Sequence, residues 1–331
     1  MRCVLLYLAG LLTLLCNPFA TDAKDYTAYY KQTMLAEEAV LNEQFDVALR
    51  HYQAAFQGYD FKFVRDVYIA AESAAFMRRD SITFIYLRYC MERGMKYDCL
   101  VKASIFEEFL HTKYAKRLNA MQQACNQKYL ASIDTTLNKE FAGRYEREQR
   151  LKAKGGEQYY KAIEENIKRI QELMNAGKYP GEQLIGLFRS VALPVQEQQS
   201  GVCIYRSGVA LGTLLNHNYA FDMLGDKLVK AMHAGQIHPQ ELALVYMYSS
   251  ARNCGYPKTK PEQLKGLEEG PYAKMVFNLP AEKCAKCDTA TANRNRARWY
   301  IPRTGTAFKS GDINKNYGIA TAIGDWAGGE R

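Results

Sequence analysis

Between Asp25 and Gly94, apolar and small residues recur at the three- and four-residue spacing of a helix face. A first stripe runs through Tyr29, Tyr30, Met34, Ala36, Ala39 and Val40, and a second through Ala48, Leu49, Tyr52, Ala55 and Phe56, with Gly58 as a stop. A shift of 34 residues carries Ala36 onto Ala70, Asp46 onto Asp80, Tyr52 onto Tyr86 and Phe56 onto Cys90. A helix pair of this kind leaves an apolar face that only a neighbouring pair can cover. The N-terminal half is therefore held to stacked helical hairpins.

A helix-turn-helix unit of 34 residues resembles the tetratricopeptide repeat. The segment NEQFDVALRHYQAAF, residues 42–56, is similar to the turn and second helix of such a repeat, with Ala48, Tyr52 and Ala55 at its small, aromatic and small positions. The copy at 70–94 is more degenerate, with the bulkier Thr83 and Phe84 near the position of Ala48. A third helical pair, at different spacing, is expected from Asp98 to Ala131. The resemblance implies a repeat region over 24–143 that binds a protein or peptide partner or serves as a spacer. The charged run 144–156, broken by Gly155-Gly156, is the expected linker, and its charges read as a solvated helix end.

Residues 1–23 have the layout of an export signal: Arg2, an apolar run from Val4 to Leu15, and Ala20 or Ala23 before a cleavage point. Cys16 follows the bulky Leu15, where lipoprotein signals carry a small residue, so a cleaved leader is expected rather than a lipid anchor. No later run is long and apolar enough to span a bilayer. Export to the periplasm or cell surface sets an oxidising context for the seven cysteines beyond residue 23. An odd number cannot pair completely. Cys203 with Cys254, and Cys284 with Cys287, are the expected disulfide candidates. A formal charge of +9 suits acidic partners such as anionic glycans, although it also serves solubility. Export argues against nucleic acid.

The C-terminal half, 157–303, also reads as helical. Ile163, Ile167, Ile170, Leu173 and Met174 form one face, and a second helix is expected from Glu182 to Val191. If Val209 to Met232 is one helix, His217 shares a face with Leu214, Phe221, Leu224 and Leu228. That makes His217 either a satisfied core imidazole or an acid–base group at a cleft. His233 in a last turn, and His238 before Pro239 at a helix start, read as helix punctuation. A Gly-containing turn separates them, so no metal site is expected. Cys284-Ala-Lys-Cys287 lacks the second pair of a zinc ribbon and the following His of a haem attachment site. No cofactor is expected. Arg294, Arg296 and Arg298 beside Trp299 could hold an anionic glycan, guanidinium and aromatic together.

Over Tyr159 to Ala320 the chain is similar to a family of exported bacterial proteins of unknown function, some preceded by tetratricopeptide-like helices. Asn166, the run YPGEQLIG at 179–186, His217 within LLNHNYAF, the run GQIHPQELA, and Tyr317-Gly318 carry the resemblance. The family tends to have an acid where this chain has Ile163, Asp-Arg where it has Met247-Tyr248, and Gln where it has Lys315. The resemblance therefore implies a retained His217 with much of the surrounding polar set replaced, which favours binding over turnover.

The expected architecture is all-α: tetratricopeptide-like hairpins, a second helical domain, and an irregular tail over 304–331. The expected function is a binding or scaffold module for a protein or peptide in the cell envelope. One alternative is an enzyme using His217 as general acid or base, with Asn166 or Tyr317 positioning substrate and Arg252 or Glu241 standing in for lost groups. The other is an anionic-glycan binder.

Overall fold

A computed structural model describes residues 24–100, 103–189, 205–206, 209–217, 219–253, 289–303, 310–317 and 319. The expected leader with Cys16, and the disulfide candidates Cys203, Cys254, Cys284 and Cys287, lie outside these residues. Cys90 and Cys125 are free, buried thiols.

Four helices make two hairpins: α1 (Thr27–Leu41) with α2 (Phe45–Phe56), and α3 (Val64–Phe76) with α4 (Asp80–Glu92). The stripe read from the sequence is the one that packs, since Tyr29, Tyr30, Ala36, Val40, Ala48 and Tyr52 are essentially inaccessible. Residues at the 34-residue offset share that fate: Ala36 and Ala70, Tyr52 and Tyr86, Phe56 and Cys90 are all buried. Both hairpins also turn the same way. Glu43 and Arg78 adopt φ of 62° and 55°, and each helix end closes with a paired bond. The Glu43 and Gln44 amides reach the Val40 and Ala39 carbonyls, and the Arg78 and Arg79 amides reach Ala75 and Ala74. This is the Schellman closure, which satisfies two carbonyls left over at a helix C-terminus.

Single turns at Tyr97–Leu100 and Glu107–Leu110 lead into α5 (Lys113–Ala120) and α6 (Gln122–Ser132). Both pack on α4, so the expected third hairpin is several shorter pieces. Then α7 (Thr135–Lys154) and α8 (Glu157–Asn175) form a long hairpin. The run expected as a linker is the second half of α7, closed by Gly155-Gly156 with both φ positive.

The helix expected from Glu182 to Val191 is corrected to one turn, Glu182–Ile185, ended at Gly186. Phe188 and Arg189 (β1) instead pair antiparallel with Arg206 and Tyr205 (β2). The helix expected over Val209–Met232 is two: α9 (Val209–Asn216) and α10 (Ala220–His233). Next come α11 (Pro239–Asn253) and α12 (Thr289–Arg298). Within the expected irregular tail, Ser310–Tyr317 is a helix, α13, that returns to α1.

The two halves share one seam. The Tyr26 amide donates to the His233 carbonyl at 2.9 Å, and the buried Tyr30 hydroxyl to that of Met232 at 2.8 Å. At the α10–α11 corner Gly235 has φ +72°, and a Cβ there would meet the Tyr26 ring at 2.4 Å. Only glycine fits both the turn and the ring.

Candidate functional site

Two buried polar clusters hold most of the candidate chemistry. The first hangs on Glu148, at 0% exposure in the middle of α7. Its carboxylate accepts from Asn166 Nδ2 and Thr213 Oγ1, both at 2.9 Å, and from Asn216 Nδ2. Asn166 lies on the inward face of α8, between Ile163, Ile167 and Ile170, and is itself buried. Arg144 approaches its Oδ1 at 3.5 Å, and Lys152 donates to the Asn216 Oδ1 at 2.9 Å. One carboxylate thus ties α7, α8 and α9 together. Three donors meet the two oxygens of this buried acid.

His217 follows Asn216 at the break between α9 and α10. It is half-buried and not on a continuous apolar stripe, which corrects the one-helix reading. The Tyr219 amide donates to its Nδ1 at 3.1 Å, which assigns the ring proton to Nε2. Asn166 and His217 therefore fall in one neighbourhood, joined through Glu148 and Asn216. Tyr317 does not. Its hydroxyl donates to Glu43 at 2.7 Å and its ring packs on Phe45 and Phe76, at the turn of the first hairpin.

The second cluster sits in the seam between the halves. Asp66, on α3, accepts from the Tyr29 hydroxyl at 2.8 Å and from Arg65 at 3.2 Å. Arg65 also donates to Glu37 at 2.9 Å, and Gln240, from the start of α11, donates to both Glu37 oxygens. His238 Nδ1 accepts from the Gln240 amide at 3.2 Å, the capping role read from its place before Pro239. That leaves Nε2 aimed at Asp66 Oδ1, 3.4 Å away. Burial pushes the Asp66 carboxyl up, but His238, Arg65 and Tyr29 outweigh it and hold the group below the usual range. An imidazole beside a carboxylate is an acid–base dyad in form. Asp66 is fully buried and His238 is 4% exposed, so the pair works as a clasp between the halves.

A further buried acid, Glu182, accepts from the Val64 amide at 2.9 Å. The first amides of α3 have no local side-chain cap. The Val64 amide is met from afar by Glu182, and the two amides just ahead of the helix, Lys62 and Phe63, by the hydroxyls of Tyr89 and Tyr29. Sequence reasoning missed Glu148, Asp66 and Glu182. Only Asp66 stands inside an apolar helical run; Glu148 lies in the charged run 144–156 and Glu182 opens a turn, where an acid carries no signal of burial.

Arg294, Arg296, Arg298 and Trp299 belong to α12 and the turn after it. Arg294 and Arg298 are exposed, but Arg296 points inward and donates to the Pro302 carbonyl. Trp299 is 3% exposed, packed on Phe221 and Tyr246 with ring centroids 5.8 and 5.7 Å apart. Half of the expected arginine–aromatic surface is therefore core. Among the described residues, no three His, Cys, Asp or Glu side chains gather as metal ligands.

No protein-family model, no curated protein and no solved structure matches this chain.

Proposed function

We propose that this chain is an exported helical binding module, a scaffold for a protein or peptide partner in the cell envelope. The observation that carries the reading is the seam. Tyr30, Asp66–His238, Glu37–Gln240 and Val64–Glu182 join the two halves into one body and cover one side of the stacked hairpins. Apolar side chains outside these contacts stay exposed: Ile85 on the second hairpin, Leu130 on α6, and Phe76 in part, beside Tyr317. A rigid helical surface with scattered apolar anchors is the form that peptide recognition by helical arrays takes. The tetratricopeptide-like spacing and the resemblance of the C-terminal half to exported bacterial proteins support the same reading. So does the leader-like pattern of residues 1–23. Among the described residues, no helix is long and apolar enough to cross a membrane.

The test is site-specific photocrosslinking from Ile85 and Leu130 in the full chain, with cell-envelope extract. Discrete protein adducts at both positions are expected, those from Leu130 being lost on Phe76→Ser with Ile85→Ser. Adducts no different from those at the exposed Lys139 would overturn the reading.

One observation keeps an enzyme as the second reading. His217 is half-exposed beside a fully satisfied buried carboxylate network, an arrangement that fixes an imidazole next to open surface. In that reading His217 is the acid or base and Asn166 acts through Glu148. Tyr317, bonded to Glu43, has no part in it. Of the four residues in the anionic-glycan reading, Arg294 and Arg298 are exposed, while Arg296 and Trp299 are turned into the core.

A further inference from the structure

The α7–α8 hairpin opens a groove at its Gly155-Gly156 end that the charge run did not announce. Arg147, Arg150, Leu151 and Lys154 line one wall, and Gln158, Lys161 and Glu165 the other. Each wall is a helix face, 147-150-154 on α7 and 158-161-165 on α8, so the hairpin turns two polar stripes toward each other. The space between them is about 690 Å³, within the range of small-molecule sites.

The charge balance inside is uneven. Arg147 is tied to Glu165 at 2.7 Å, and this partner foremost holds the Glu165 carboxyl below its usual range. Arg150, Lys154 and Lys161 have no carboxylate within ion-pair distance among the described residues. Helix polarity accounts for Lys154, in the last turn of α7, where a cation meets the negative end of the dipole. It does not act on Lys161, one turn into α8, which feels the Glu165 carboxylate of the groove without pairing to it. Three unpaired cations converging on one groove repel one another, and an anion seated among them relieves that repulsion.

We propose that this groove is a binding site for a soluble polyanion, a ligand carrying two or more clustered phosphate or sulfate groups. The concave form, with Arg150 and Lys154 on one wall and Lys161 on the other, suits a compact anion held from two sides. The site is separate from the apolar surface assigned above to a protein partner.

Inorganic tripolyphosphate is the probe, titrated into the full chain by calorimetry and followed by thermal shift. Saturable binding and a rise in melting temperature are expected, both falling at least tenfold in apparent affinity in the triple variant Arg150→Gln, Lys154→Gln, Lys161→Gln. A charge-matched control, Lys31→Gln, Lys116→Gln, Lys139→Gln, changes exposed lysines elsewhere and should keep wild-type affinity. Equal loss in the control means that net charge alone attracts the ion, and overturns the site. Equal affinity in the groove variant overturns it too. Sedimentation with phosphatidylserine vesicles separates the sources: binding to vesicles with no binding of tripolyphosphate overturns a soluble ligand.

Discussion

Glu182 accepts the amide of Val64 across 118 residues of chain, so an acid of the C-terminal half caps the first turn of α3. Burial pushes its carboxyl up to about 8, against the opposing pull of that amide bond. The unfolded group titrates near 4.5, so between about 4.5 and 8 the folded chain binds the extra proton. Stability from this group is full below pH 4.5 and is lost as pH rises through 8, by at most about 1.4 kcal/mol per unit. Glu182→Gln mimics the protonated acid and keeps an oxygen for Val64. Urea unfolding at pH 5, 6, 7 and 8 should show a shallower pH slope for the variant than for the parent. Parallel curves would rule Glu182 out as the titrating group.

Glu148 is expected to be intolerant of any neutral replacement. Glu148→Ala leaves the donors of Asn166, Thr213 and Asn216 without their acceptor, which costs roughly 1–3 kcal/mol for each donor left buried and unpaired. Glu148→Gln should recover only part of this, since its amide nitrogen would face one of three donors. Asn166→Ala removes a single partner and should cost about 1–2 kcal/mol. Denaturant midpoints that rank Ala below Gln below Asn166→Ala would bear this out. Equal midpoints would mean that the hub contributes nothing beyond one bond.

The helical stripes of α1, α2 and α8 were legible because one buried face per helix gives a 3.6-residue period, and Tyr29, Ala48, Tyr52, Ile163 and Ile167 keep it. The break at His217 was not. Leu214 and Phe221 stay in phase across it, and no Gly or Pro marks it, only the polar run Asn216-His217-Asn218. The seam was illegible for a different reason. Glu37–Gln240 and Val64–Glu182 join residues 203 and 118 positions apart, and such pairings leave no periodic trace. Arg296 and Trp299 misled because a basic–aromatic run has the same composition whether it faces water or a carbonyl such as that of Pro302. His238 was read correctly as a helix start. Its second partner, Asp66, could come only from tertiary packing.

Two glycines separate backbone strain from packing. Gly177 and Gly235 both end helices with φ near +75° and +72°, but only Gly235 has a ring against it. Gly177→Ala meets nothing within 4 Å, so it should cost only the left-handed strain, about 1–2 kcal/mol. Gly235→Ala adds a clash with Tyr26, whose hydroxyl is anchored on the Phe61 carbonyl, and should cost about 1–3 kcal/mol more. Tyr26→Leu in the Gly235→Ala background should recover much of that excess. If the two glycine variants unfold together, the seam around Tyr26 is looser than its contacts imply.

The arginines of α12 should divide by function. Arg296→Ala removes a buried guanidinium from the Pro302 carbonyl and should lower stability by about 1–3 kcal/mol. Burial already pushes this guanidinium below its ordinary value, so its removal also relieves some desolvation, and the lower half of that range is expected. Arg294→Ala with Arg298→Ala touches exposed side chains and should lower the unfolding midpoint less than Arg296→Ala does. Trp299 supplies the readout. Packed on Phe221 and Tyr246, it should report the docking of α12 by fluorescence in a Trp326→Phe background. A red-shifted Trp299 in Arg296→Ala, and an unshifted one in the double variant, are the expected spectra. If retention on an anionic-glycan matrix falls in the double variant while Trp299 stays buried, the exposed pair of arginines binds glycan without the aromatic partner. That result would return α12 to the list of binding surfaces.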